Sequence, residues 1–120
     1  MSGEKPIRLY RRTKRPRGAV RAREIDFYAE DVQVSAIVEP NLRPKDAYYI
    51  NNLDVLQRTK RGLGYGTAAL DQIIKIAKRA DASTIVAREV LTTAEGFWRK
   101  NKFRPVRGSN PTNDYVFRPK

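Results

Sequence analysis

The spacing of hydrophobic positions changes once along the chain and divides it into two halves. Ile25, Phe27 and Ala29 alternate with Asp26 and Tyr28, the period of a strand with one buried face. Glu30-Asp31 reads as a tight turn, and residues 32–38 (Val-Gln-Val-Ser-Ala-Ile-Val) are rich in β-formers. Residues 48–56 make a third good strand, and residues 7–10 a short one ahead of the others. Two loops separate them: residues 11–18, which contain Pro16, and residues 40–44, where two prolines and an asparagine interrupt any ladder. The first half is therefore expected to be an antiparallel meander.

From Gly66 the period lengthens. Leu70, Ile73, Ile74 and Ala77 fall at i, i+3, i+4 and i+7, one face of a helix, with Asp71, Lys75, Lys78 and Arg79 on the other. Residues 81–83 end it, and residues 84–90 return to a strand pattern. Thr92 and Glu95 have capping-box spacing at the start of a short helix, whose buried face takes Ala94, Phe97 and Trp98. Residues 103–106 and 115–117 are short strands joined by a loop at 108–111. The order β-β-β-β-α-β-α-β-β predicts a mixed α/β layer fold.

Composition removes several kinds of chemistry. The chain has 120 residues, room for one domain, with no Cys and no His. Thiol nucleophiles, disulfides, zinc–thiolate sites and serine–histidine catalysis are excluded, and no metal site is expected. No apolar run reaches the ~18 residues of a membrane span, and no apolar stretch follows the N-terminal charges as in a signal peptide. A cytoplasmic protein without membrane association is the expectation. The net charge of +12 is uneven: residues 1–23 hold nine basic groups and one acid, leaving only +4 for the other 97 residues. Such a segment suits phosphates or acidic surfaces, although basic tails are often merely solvated.

The candidate chemistry lies between the third good strand and the first helix, in Arg58-Thr59-Lys60-Arg61-Gly62-Leu63-Gly64-Tyr65-Gly66-Thr67. A glycine-rich turn into a helix leaves backbone N–H groups free and adds the positive end of the helix dipole, a setting for phosphate or pyrophosphate. Gly64 and Gly66 allow close approach to the backbone, and Lys60 and Arg61 bring charge to the rim. The dinucleotide fingerprint and the Walker motif both fail on spacing. The same glycines also serve a plain tight turn.

Residues 52–55 (Asn-Leu-Asp-Val) and the run from Arg61 through Gly64, Gly66 and Leu70 resemble the acetyl-CoA motif of the GCN5-related N-acetyltransferases (GNAT), a strand, R-x-x-G-x-G/A and an amphipathic helix. A second segment, Ala94-x-x-Phe97-Trp98-x-x-x-x-Phe103, resembles that family's A-x-x-F-Y-x-x-x-G-F. The resemblance spans residues 25–117 and implies a single mixed, mostly antiparallel sheet with helices packed on it. It also implies that the fourth and fifth strands splay around an acyl-CoA arm. Leu53, Asp54 and Val55 would then face the pantetheine, and the amides of Gly62, Leu63, Gly64, Tyr65, Gly66 and Thr67 would hold the pyrophosphate, with Arg61 at the rim and Trp98 beside the cofactor. Acetyl-CoA is the implied acyl donor, and the thioester would lie near residues 51–54.

The sequence departs from that pattern. The tyrosine often proposed to protonate the leaving thiolate is Trp98, whose indole N–H is too weak an acid. The glycine before the last Phe is Lys102, and the strand-four acid becomes Asn51 or Asn52. Asp54 and Glu89 stay as weak candidates for a base, and Asn52 for orienting water. About ten residues separate Leu9 from Val20, where the family places one or two helices, so the acceptor side is expected to be open. The reading divides the chain into a basic segment, 1–23 (strand plus loop), and a GNAT-like domain, 24–120. It implies an N-acetyltransferase for an amine on a macromolecule: a protein lysine, an N-terminus or a nucleic-acid-associated target. The alternative is an inactive GNAT-fold module binding nucleic acid or an acidic protein through residues 5–23. A homodimer is left open.

Overall fold

The structure, a computed structural model, describes residues 7–14, 22–41 and 47–119. Four strands come first: β1 (Tyr10–Lys14), β2 (Arg23–Ala29), β3 (Val32–Asn41) and β4 (Ala47–Val55). A 3-10 turn at Arg58–Lys60 leads into α1 (Tyr65–Arg79), then β5 (Thr84–Ala87). A second 3-10 turn (Thr92–Ala94) runs into α2 (Glu95–Lys100), followed by β6 (Arg104–Pro105) and β7 (Tyr115–Phe117). The strands form one sheet in the order β1-β2-β3-β4-β5-β7-β6. All pairs are antiparallel except β4 with β5. The expected meander is present, and α1 makes the crossover that a parallel pair requires.

Alternation decides which side of the sheet is buried. Ile25 and Phe27, then Val34, Ala36 and Val38, then Tyr48 and Ile50 point to one face and lose nearly all contact with water. α1 packs on that face over β3 and β4 with Leu70, Ile73 and Ala77 of the expected stripe; Ala69 is buried with them, Ile74 is only partly buried, and Trp98 brings α2 into the same core. The opposite face carries Gln33, Ser35 and Glu39 on β3, and Asn52 and Asp54 on β4. Among the described residues no helix is long and apolar enough to cross a membrane.

Both helices end in the same hydrogen-bonded cap. After α1 the Asp81 N–H donates to Lys78 O (3.0 Å) and the Ala82 N–H to Ala77 O (2.9 Å). After α2 the Lys102 N–H donates to Arg99 O (3.0 Å) and the Phe103 N–H to Trp98 O (2.9 Å). This Schellman arrangement needs a left-handed residue, and Asp81 (φ 60°) and Lys102 (φ 73°) supply it where glycine is usual.

Several expected boundaries move. The first strand is Tyr10–Lys14 rather than residues 7–10, so residues 11–14, read as loop, pair with β2; residues 15–18 of that loop lie outside the described residues. β3 runs through Pro40 to Asn41, where a loop was expected, and residues 42–44 lie outside the described residues. Pairing with β2 ends at Val38, so Pro40 sits where β3 has a neighbour on one side only, and its missing N–H leaves no gap in a two-sided ladder. β5 stops at Ala87, three residues short of the expected end. The capping box does not form: neither Thr92 nor any other side chain caps the turn, and Glu95 accepts hydrogen bonds from Tyr115 Oη (2.9 Å) and Asn113 Nδ2 (3.1 Å) instead.

Candidate functional site

β4 and β5 are paired over only four positions, from Ala47↔Thr84 to Ile50↔Ala87, and their last bond is Arg88 N–H to Ile50 O at 3.0 Å. At that point β4 is irregular. Ile37 of β3 faces Asn52 while Val38 faces Ile50, so Asn51 is an extra residue, a β-bulge. A bulge bends its own strand, and here it turns β4 away just as β5 ends. Side chains pin the parting point. The Arg88 guanidinium lies 3.8 Å over the Tyr49 ring and donates to Glu39 Oε1 at 3.5 Å, while Asn51 Nδ2 donates to the same oxygen at 3.4 Å. Beyond it, the edge of β4 from residue 51 to 55 has no strand on its β5 side.

A cavity of about 450 Å³ occupies the opening. β4 contributes Leu53, Asp54 and Val55, the loop contributes Arg61, Gly62 and Gly64, and α1 contributes Gly66 and Thr67. The far wall is the α2 region, with Thr93, Ala94, Gly96, Phe97, Trp98 and Lys100. The loop supplies donors. Arg61 N–H bonds back to Arg58 O, and the first bond of α1 is Ala68 N–H to Gly64 O. Between them, the N–H groups of residues 62–67 meet no protein acceptor among the described residues. Gly62 (φ 78°) and Gly64 (φ 94°) take the left-handed conformation that turns these amides. Gly66 is glycine for a different reason: a Cβ there would meet the Phe97 ring at 3.1 Å, so its bare backbone lets α2 lie against α1. Six unbonded amides, a helix start and a roomy cleft fit an extended phosphate-bearing ligand with an apolar arm.

Most residues singled out from the sequence gather here, but not all. Leu63 is exposed at the tip of the loop, and the Tyr65 side chain lines a different groove with Ile7, Arg8 and Tyr10. Asp54 lines the cleft but is engaged, its Oδ1 3.2 Å from Arg61 Nη2 while Arg61 Nε donates to Val55 O at 3.0 Å. Arg61 thus ties the loop to the end of β4 and occupies the Val55 carbonyl. Asn52 and Glu89 are exposed and line no part of the cavity. Glu89 (φ 52°) donates its N–H to Asp114 Oδ1 at 2.9 Å. Trp98 is buried edge-on against both Phe97 and Phe103 while one part of it reaches the cleft. Among the described residues no acidic cluster suited to a metal exists.

Sequence reasoning missed the rest of the α2 wall and the bulge. The run from Ala94 to Trp98 was readable as a buried helix face, yet the same residues face the cleft. α2 is fixed by Glu95, whose carboxylate the Tyr115 hydroxyl and then the Asn113 amide hold below the usual glutamate range. Tyr115 is raised, by its burial first and then by its bond to Glu95.

No family model matches the sequence, and no curated protein matches it. Solved structures do match. An acetyltransferase from Thermus thermophilus superposes with a TM-score of 0.67 at 19% identity, covering 82% of this chain and 65% of its own. GCN5 of Tetrahymena gives 0.65 at 10% identity, with 82% and 68% covered. A GNAT-family acetyltransferase from Staphylococcus aureus gives 0.62 at 18%, with the same 82% and 68%. The present chain thus spans about two thirds of the length of these proteins, and its mixed sheet, parted at β4 and β5, is the fold of the GNAT acetyltransferases.

Proposed function

We propose that this protein is an acyl-CoA-dependent N-acyltransferase that uses acetyl-CoA and transfers the acetyl group to an amine on a macromolecule. The observation that carries this reading is the run of unbonded amides at residues 62–67 beside the cleft between β4 and α2. In this reading the amides and the N-terminus of α1 hold the pyrophosphate, and the edge of β4 at Leu53–Val55, apart from the Val55 carbonyl that Arg61 holds, takes the pantetheine. Phe97, Ala94 and Trp98 exclude water from the arm. The thioester supplies an activated acyl carbon near the bulge at Asn51.

The chain's own groups orient more than they titrate. An exposed lysine amine has a pKa near ~10.4, so it must lose a proton before it attacks. Of the two carboxylates considered for that task only Asp54 lines the cleft, and it is paired with Arg61. As the C–N bond forms and the thioester C–S bond breaks, water reached from the polar sheet face takes the amine's proton and returns one to the CoA thiolate that leaves, and Trp98 plays no acid role. The rate then rests on holding amine and thioester together, which alone reaches effective molarities of roughly 10⁵–10⁸ M. The polar face at Asn52 and Asp54 gives the acceptor its approach.

The test is calorimetric titration with acetyl-CoA, followed by thermal unfolding in its presence. At a hundred times the dissociation constant the ligand adds about 2.7 kcal/mol of stability. Acetyl-CoA that neither binds nor stabilises the protein at millimolar concentration overturns the reading and leaves a non-enzymatic GNAT-fold module.

A further inference from the structure

β1 and β2 form the other chemically distinctive surface. Tyr10 lies directly opposite Tyr28 in the β1–β2 ladder, so both rings stand on the same face, the one turned away from the core. They are 77% and 37% exposed, although tyrosine has every reason to bury its ring. Arg12 and Lys14 follow Tyr10 on that face by alternation. Lys14 is committed to Glu24 (2.9 Å) and Asp26 (3.7 Å). No carboxylate lies within ion-pair distance of Arg8 or Arg12 among the described residues, whereas Arg11 stands on the other face, toward α1, and donates to Gln72 Oε1 at 3.1 Å. A groove of about 490 Å³ opens beside Tyr10, between Ile7, Arg8 and Tyr65; of the two acids that line it, Asp31 is paired with Lys60 at 3.4 Å and Glu30 has no ion pair among the described residues.

We infer that the β1–β2 face is a docking surface for single-stranded nucleic acid. Stacking on exposed rings rewards a flat π-system at every repeat of the partner, which an acidic peptide offers only where it carries an aromatic side chain. Unpaired bases offer one at each nucleotide, and a backbone with one phosphate per nucleotide matches the uncompensated guanidinium groups of Arg12 and, beside Tyr10, Arg8. A duplex hides its base faces, so it would use the charge of this surface but not its tyrosines. The surface is separate from the β4–α2 cleft, and its occupancy does not depend on the transferase reading.

The experiment is fluorescence anisotropy of the full chain with a labelled oligothymidylate of roughly 12 nucleotides, its duplex with oligodeoxyadenylate, and polyglutamate. At about 50 mM salt the single strand binds more tightly than the other two. Replacing both rings, Tyr10→Ala with Tyr28→Ala, weakens single-strand binding by about fivefold to a hundredfold and leaves its salt slope unchanged. Tyr10→Phe with Tyr28→Phe keeps the binding, because the π-face remains. Arg12→Gln lowers the log–log salt slope by about 0.7. The alanine pair removes a cross-strand contact worth roughly 0.2–1 kcal/mol, so its thermal midpoint falls by a few degrees, while the phenylalanine pair stays near the wild-type midpoint. Single-strand binding that the alanine pair leaves intact overturns the proposal. So does polyglutamate bound as tightly as oligothymidylate, which would make the partner an acidic protein.

Discussion

The β4–α2 cleft and the β1–β2 face put their chemistry in different parts of the chain. In the cleft the working groups are backbone: six amides, the free edge of β4 and a bulge at Asn51. Side chains there hold geometry, as Arg61 does for the loop and Glu39 with Arg88 do for the parting strands. On the β1–β2 face the backbone is ordinary antiparallel ladder, and guanidinium groups and tyrosine rings carry the surface. A backbone site is fixed by where glycine stands. A side-chain site is fixed by what alternates outward, so the two should fail under different substitutions.

The largest effect is expected at Gly64. Its φ of 94° is strained for any side chain and worst for a β-branched one, whereas its Cβ would meet only the flexible end of Ile7, at 3.3 Å. Gly64→Val is expected to retain the fold, which the α1 core sustains, and to lose at least a hundredfold in acetyl-CoA affinity by calorimetry. Arg61→Ala should lose less than tenfold, because its pair with Asp54 is half exposed and worth about 0–1 kcal/mol. Oligothymidylate binding should be indifferent to both. Unchanged acetyl-CoA affinity in folded Gly64→Val would show that the loop amides are not the donor site.

The contrast also explains what the sequence could and could not reveal. The glycine loop was legible because Gly62, Gly64 and Gly66 stand between a strand and an amphipathic helix, although their reasons differ: left-handed backbone at the first two, the ring of Phe97 over the third. The element order and α1's buried stripe followed from periodicity alone. The bulge was not legible, because an extra residue in β4 is defined by its partner strand, and Asn51-Asn52 says nothing of Val38 and Ile37. The tyrosine pair was invisible for the same reason: Tyr10 and Tyr28 are eighteen positions apart, and only the register places them together. The capping-box reading failed because Glu95 had better partners at the far end of the chain, Asn113 and Tyr115.

Those partners give a smaller, pH-dependent test of how rigidly the cleft wall is held. The Glu95 carboxyl is lowered from the ordinary value of 4.5 by the Tyr115 hydroxyl first and Asn113 second. A carboxyl lowered by folding stabilises the protein fully above its unfolded value, and that contribution is lost as pH falls through the folded one. Wild type should therefore lose stability as pH drops from about 4.5 downward more steeply than Glu95→Gln does, with chemical denaturation at several pH values as the measurement. Identical slopes would mean that the carboxylate does not anchor α2, and that the wall of the cleft is held by Trp98 and Phe97 alone.

The smallest effect is expected to be a gain. Lys102 occupies the left-handed position that closes α2, at φ 73°, and its N–H already makes the capping bond to Arg99 O. The side chain contributes nothing to that bond, while its Cβ carries the steric cost of the left-handed region, about 1 kcal/mol. Glycine removes the cost in the folded state but adds freedom to the unfolded chain, so only part of the difference survives. Lys102→Gly should raise stability by a few tenths of a kcal/mol to about 1 kcal/mol in urea unfolding, with acetyl-CoA affinity unchanged. Asp81→Gly, at the matching position after α1, should give a smaller gain, because aspartate tolerates the left-handed region better than lysine does. A loss of stability in Lys102→Gly would mean that Lys102 has a favourable role at the end of α2 that the geometry of the cap does not account for.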